Sequence, residues 1–179
     1  HVLIEALELL NRDQQADEKY KLVILGEGAY RPTLEKLTKS CGVSDQVELP
    51  GAVDHQRLRI WYNATDLFCL ASDREGWPNV VMEALACGAP VVATRVWGIP
   101  EIVVNEELGL LSDRKPAGFA RNITTAFEKS WDRAQIAAHM APQTWQRAAD
   151  QVATEFRKTL GTSERTSTPP TATNTCLLY

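Results

Sequence analysis

The sequence predicts an α/β fold, a parallel sheet with helices on both faces, and three observations carry that prediction. Short β-rich runs end in turn formers, helical spacings fill the intervals between them, and the two kinds of segment alternate along most of the 179 residues. Right-handed crossovers between such strands lead to a doubly wound, Rossmann-like sheet.

The chain begins with helical spacing, His1-Val-Leu-Ile-Glu-Ala-Leu-Glu-Leu-Leu10, with no strand or cap ahead of it. A helix in that position ordinarily follows a strand, so the sequence reads as one that starts inside a larger protein, truncated at its N-terminus. Strands are predicted at Tyr20–Leu25 before Gly26, Gln46–Leu49 before Pro50-Gly51, Asp66–Ala71 before Ser72-Asp73, and Pro90–Thr94, with a short one at Gly109–Ser112. Between them, Tyr30, Leu34, Leu37 and Cys41 keep helical spacing. So do Leu58, Trp61 and Tyr62 behind an Asp54 N-cap, and Phe119, Ile123 and Phe127 after Pro116. Residues 133–160 read as helical with a break at Pro142, and Trp145, Ala149, Val152, Phe156 and Leu160 form an apolar stripe. The domain is therefore expected over 1–160, with 161–179, rich in Thr, Ser and Pro, as a disordered tail.

Composition narrows the function. With 44% hydrophobic and 23% charged residues the chain belongs with globular domains. A net charge of -4 provides no basic field for nucleic acid. No apolar run reaches the roughly eighteen residues of a membrane span, and the first residues lack signal-peptide order. Cys41, Cys69, Cys87 and Cys176 are far apart and read as structural thiols, which fits a cytoplasmic protein. Only three histidines are available for a zinc site or a histidine-based triad.

In an open α/β sheet, ligands bind at the carboxyl ends of the strands. The loop after Leu25, Gly26-Glu-Gly28-Ala-Tyr-Arg31, imitates a dinucleotide fingerprint with Glu48 twenty-two residues beyond Gly26. Arg31 occupies the third glycine position, which counts against NAD and leaves a tight turn lining some other ligand. The loop after Ala71 carries more chemistry. It runs Ser72-Asp-Arg-Glu75-Gly76-Trp77-Pro78-Asn79-Val80-Val-Met-Glu83-Ala-Leu-Ala-Cys-Gly88, with Asn79 as predicted N-cap and Gly88 at the helix end. The helix N-terminus would offer backbone N–H groups and partial positive charge to an anion, most naturally a phosphate. Glu83, one turn in, and Glu75, in the loop, can face one ligand. Without neighbours they would read as a solvated loop charge and an exposed helix residue. Trp97-Gly98-Ile-Pro-Glu101 adds a second glycine-containing turn at the same edge.

These segments resemble the donor-binding half of retaining GT-B glycosyltransferases of the family 4 type. The resemblance rests on Glu75 to Thr94 with its two glutamates, on Gly98-Ile-Pro-Glu-Ile102, and upstream on Lys21–Gly28 and Val47–Val53. Downstream, Thr144-Trp145 is similar to the start of that family's closing helix. It implies a transferase that moves a sugar from a nucleotide diphosphate to an acceptor hydroxyl with retained anomeric configuration, in polysaccharide or glycolipid synthesis. On matching positions, Glu83 would hold ribose hydroxyls and Glu75 would lie by the transferred sugar, as the catalytic pair. Backbone at Gly76, Trp77, Pro78, Asn79 and Val80 would contact sugar and phosphates, Val53 would lie near the base, and Gly26, Gly28 and Gly98 would line the site. No D-x-D metal motif occurs, and the resemblance implies no metal or other cofactor.

Three departures stand out. Trp97 occupies the position of the first glycine of the family's Gly-Gly pair. The family's cationic pyrophosphate contacts, on a strand that would precede His1, and its N-terminal acceptor domain are missing. By the resemblance that domain would be a partner, and would carry any peripheral contact with the inner face of the membrane. The chain alone is not expected to catalyse transfer. A nucleotide-sugar epimerase of the same fold, a Rossmann oxidoreductase and a non-catalytic nucleotide-binding domain are the alternatives.

Overall fold

A computed structural model of the chain describes residues 1–13 and 20–160. The predicted tail and Cys176 lie outside the described residues. The described residues fall into two compact units, divided between Ala141 and Pro142.

The first unit alternates helix and strand in the predicted order: α1 (Val2–Asp13), β1 (Leu22–Leu25), α2 (Arg31–Ser40), β2 (Val47–Gly51), α3 (His55–Ala64), β3 (Phe68–Leu70), α4 (Asn79–Ala86), β4 (Val91–Thr94), α5 (Ile99–Ile102), β5 (Gly109–Ser112), α6 (Pro116–Glu128) and α7 (Arg133–Met140). Every strand pairing is parallel, because each strand is followed by a helix that returns the chain to the same end. β1 pairs with β2 in one sheet, and β3, β4 and β5 lie in that order in another.

Strand β4 shows why the layers stack as they do. All four of its residues are buried, as in a strand covered on both faces. Val91 and Ala93 join Tyr62, Val81, Leu85, Ile99, Ile136 and Met140 in one core. Val92, between them in sequence, joins Val2, Ala6, Leu10, Phe119 and Ile123 in the opposite core. The period-two alternation of a strand thus assigns α4, α5 and α7 to one face and α1 and α6 to the other. Helix α1 also sends Ile4 and Leu7 into a third core with Val43, Leu22, Ile24 and Val47, so one helix serves both sheets.

Local signals decide the element ends. Asp54 caps α3 by accepting from the Arg57 N–H at 2.8 Å, as its position predicts. Gly88, at φ +75°, follows α4, where the Ala89 N–H reaches Ala84 O at 3.0 Å and the Gly88 N–H reaches Leu85 O at 2.8 Å. One expectation is corrected. β2 runs through Pro50 to Gly51 instead of ending before them, because Gly51 at φ +92° lets its carbonyl accept from the Gly26 N–H at 2.9 Å. Phe127, in α6 as its spacing predicts, is 48% exposed, its ring centroid lying 5.0 Å from that of Tyr20.

In the second unit, α8 (Trp145–Thr159) follows the predicted break at Pro142. Thr144 caps it by accepting from the Arg147 N–H at 3.2 Å, and its apolar residues fall on one face.

Candidate functional site

The carboxyl ends of β3 and β4 gather most of the residues singled out from the sequence. Glu75 lies in the loop between β3 and α4, half-buried, and its Oε1 accepts from the Ser72 hydroxyl at 2.6 Å. Ser72 is itself held, because its carbonyl accepts from the Thr94 hydroxyl at 2.7 Å. Thr94 is fully buried at the end of β4, so the core of the sheet sets the height of the loop carrying Glu75.

Glu83 sits one turn into α4, and it is not the exposed helix residue of the plainest reading. Its Oε2 accepts from the Tyr62 hydroxyl on α3 at 3.1 Å. Tyr62 is 6% exposed, and its ring stands edge-on to Phe68 with centroids 5.6 Å apart. Burial first, then the charge of Glu83, push the Tyr62 hydroxyl's pKa well above its ordinary range, so it stays a neutral donor.

The N-terminus of α4 is open to an anion, though not in the way the sequence suggests. Asn79 is the first helical residue, and the cap position belongs to Pro78, which is extended at ψ 98° and gives no side-chain hydrogen bond. A cap needs that extended backbone, and Pro78 adopts it readily because its ring fixes φ. No acidic side chain stands in the first turn of α4. Backbone N–H groups at Asn79 and Val80 therefore meet no competing carboxylate of that turn, and the helix dipole favours negative charge there.

The turn after β4 packs directly on this loop. A Cβ at Gly98 would collide with Gly76 O and lie 3.2 Å from the Trp77 ring, so only glycine allows the two turns to touch. Trp77 closes the contact from the other side by donating its indole N–H to Met82 Sδ at 2.9 Å. Trp97, where the resembled family carries glycine, adopts φ +46°, the left-handed conformation that favours glycine. Its ring is 68% exposed and stands outside the contact between the turns.

Gly26, Gly28 and Val53 form a separate cluster at the ends of β1 and β2. Arg31 ties it together: its guanidinium donates to Glu27 at 2.9 Å, to Glu35 at 3.0 Å and to Leu49 O at 2.7 Å. The residue that argues against a dinucleotide fingerprint thus braces this loop against β2. Val53 is half-buried just beyond β2, and Gly28 is exposed. Among the described residues no hydrogen bond joins this cluster to Glu75 or Glu83.

Sequence reasoning missed Ser72, Thr94, Tyr62 and Arg31 as parts of the site. Ser72 and Glu75, three apart in a loop, carried a usable local signal. Tyr62 read as one more member of an apolar stripe, since its partner lies 21 residues away on another helix. Among the described residues Cys41, Cys69 and Cys87 are unpaired, and burial pushes the Cys69 thiol up to about 12. Among the described residues no cluster of three His, Cys, Asp or Glu side chains is placed to hold a metal ion, and no helix is long and apolar enough to cross a membrane.

Residues 1–143 match the family described as Glycosyl transferases group 1. The D-inositol 3-phosphate glycosyltransferase of Xylanimonas cellulosilytica is 37% identical over 142 residues, 76% of this chain and 33% of that protein. The GDP-mannose-dependent alpha-(1-6)-phosphatidylinositol monomannoside mannosyltransferase of Mycobacterium tuberculosis is 34% identical over 131 residues, 69% of this chain and 34% of that protein. The chain thus spans about a third of the length of these relatives. Among solved structures, HepE of Anabaena in complex with UDP superposes with a TM-score of 0.69 at 26% identity, over 90% of this chain and 44% of that one. With the parallel α/β fold, the glutamate-bearing loop and the family match over most of its length, the chain belongs to the glycosyl transferases group 1 family.

Proposed function

We propose that this chain is the donor-binding domain of a retaining glycosyltransferase of the GT-B class, family 4 type. It binds a nucleotide-diphosphate sugar, and the whole protein transfers the sugar to an acceptor hydroxyl in cytoplasmic synthesis of a cell-surface polysaccharide or glycolipid. One observation carries the reading: two glutamates flank the uncapped N-terminus of α4, and each is held by a hydroxyl, Ser72 on Glu75 at 2.6 Å and Tyr62 on Glu83 at 3.1 Å.

The chemistry follows from that arrangement. A diphosphate settles on the backbone N–H groups at the start of α4, which meet it with oriented dipoles rather than lysines. Glu83, farther along the helix, accepts from ribose hydroxyls. Glu75, in the loop before the helix, orients the transferred sugar and stabilises positive charge as the glycosidic bond loosens. The loop ending at Val53 lies by the base, and Gly98 and Trp77 wall the sugar side. No step needs a metal ion in this reading, and the acceptor is held by a further domain of the whole protein. The named relatives point to GDP and UDP as the nucleotides to try first.

The test is thermal unfolding of the chain with UDP, GDP, ADP and NAD, beside Glu83→Ala. A ligand at ten times its Kd adds about 1.4 kcal/mol of apparent stability. A shift with one nucleoside diphosphate, lost in the variant, supports the donor site and identifies the base. A shift with NAD alone overturns the reading.

A further inference from the structure

We propose that Tyr62 is a positioning residue for Glu83: by donating to Oε2, it holds the carboxylate so that Oε1 accepts a ribose hydroxyl of the bound nucleotide. The inference rests on the donor-site reading of Glu83 and adds a residue on a different helix to it.

Tyr62 is suited to this because every other part of it is fixed. Asp54 caps the start of α3, and at the far end Arg133 of α7 donates to Thr65 O at 2.7 Å, Asn63 O at 3.2 Å and Tyr62 O at 3.4 Å. The ring is buried in the core with Val81 and Leu85 of α4 and stands against Phe68 of β3. The hydroxyl is therefore placed by the sheet and by three helices. Glu83, by contrast, has three rotatable bonds whose freedom would be lost on binding a ligand. The Tyr62 bond removes much of that freedom before the ligand arrives, the usual route by which preorganisation raises affinity. Glu83 Oε1 has no hydrogen-bond partner among the described residues, so one oxygen is anchored and the other is available.

A hydrogen bond between packed helices can also serve stability alone, and the two roles separate experimentally. Tyr62→Phe keeps the ring and removes only the donor. A purely structural role lowers the melting temperature and weakens all ligands alike. A positioning role weakens specifically those ligands that carry the ribose hydroxyls.

The experiment is calorimetric titration of the full chain with UDP and GDP, each beside its counterpart lacking both ribose hydroxyls. The wild type, Tyr62→Phe, Glu83→Ala and the double variant are compared. The wild type should prefer the ribose form of its nucleotide by about tenfold, the worth of one hydrogen bond to a charged acceptor. Glu83→Ala should abolish the preference, Tyr62→Phe should cut it about threefold or more, and the double variant should match Glu83→Ala. A folded Tyr62→Phe that keeps the full preference overturns the inference and leaves the donor site standing. Should that variant be too unstable under these conditions, its titrations are repeated at lower temperature in an excluded osmolyte such as sucrose, with the wild type treated alike. Preference unchanged in Glu83→Ala removes Glu83 from the ribose and the inference with it. Where neither UDP nor GDP binds the wild type, ADP and its counterpart are titrated in the same four proteins, and failure of all three nucleotides overturns both readings.

Discussion

The Tyr62 hydroxyl donates to Glu83 Oε2 at 3.1 Å, and this bond joins α3 to the helix that carries the second glutamate of the site. Burial and the neighbouring carboxylate both raise the tyrosine's titration above its ordinary value of 10. A raised folded-state pKa means stability that is fully present below pH 10 and is lost as pH climbs through the higher folded value. Loss of the hydrogen bond to Glu83 should make Tyr62→Phe less stable than wild type by about 1 kcal/mol at neutral pH. Above pH 10 the gap should close, since the Phe variant has no such group to ionise. Chemical denaturation on both sides of that pH checks it, and a gap that stays constant would contradict the assignment.

Trp97 is the one described residue other than glycine with a positive φ, at +46°. The left-handed conformation costs an L residue about 1–2 kcal/mol, and glycine gives back about 0.5–1 kcal/mol through its freer unfolded chain. Because the ring is 68% exposed, little packing is lost on its removal. Trp97→Gly should raise stability by up to about 1 kcal/mol in urea unfolding. A loss of stability would mean that the indole makes contacts that offset its strained backbone.

Gly98→Ala should act in the opposite direction. Its Cβ would be driven into Gly76 O and the Trp77 ring, and backbone cannot swing aside as a side chain can. A cost of about 1–3 kcal/mol follows from overpacking. The Gly76–Trp77 turn must also move, so the thermal shift produced by the preferred nucleotide should shrink. Wild-type stability and an unchanged shift would show that the two turns do not press on each other.

Thr94→Val tests the support under Glu75. The swap preserves shape in a fully buried position but removes the hydroxyl that Ser72 O accepts from at 2.7 Å. Leaving that carbonyl unpaired should cost about 1–3 kcal/mol. With the anchor gone, the loop should also become more susceptible to proteolysis at Asp73–Gly76. Unaltered proteolysis would place the control of this loop elsewhere.

Much of the site was legible because its signals are local. Gly26 follows β1, Asp54 opens α3, Gly88 closes α4, and the run from Glu75 to Gly98 carries its chemistry in contiguous residues. Asn79 was misplaced as a cap because Pro78 adopts the cap conformation one residue earlier, and a pattern of residue types is blind to a shift of one position. Gly51 inside β2 was missed because its place in the strand depends on Gly26, 25 positions away in the chain, donating to its carbonyl.

Alternation and spacing by themselves determined the parallel α/β order of elements and the strand-end loops, and resemblance to a known family singled out the two glutamates as candidates on one of those loops. Only the tertiary structure decided how those glutamates are held: Thr94 under Ser72, Tyr62 against Glu83, and Arg133 on the end of α3. Each of these is a hydrogen bond between groups far apart in sequence. Its existence depends on how helices pack across the sheet, to within a fraction of an ångström. Hydrophobic periodicity says which face of a helix is buried, but it does not say which hydroxyl of that face meets which carboxylate of its neighbour.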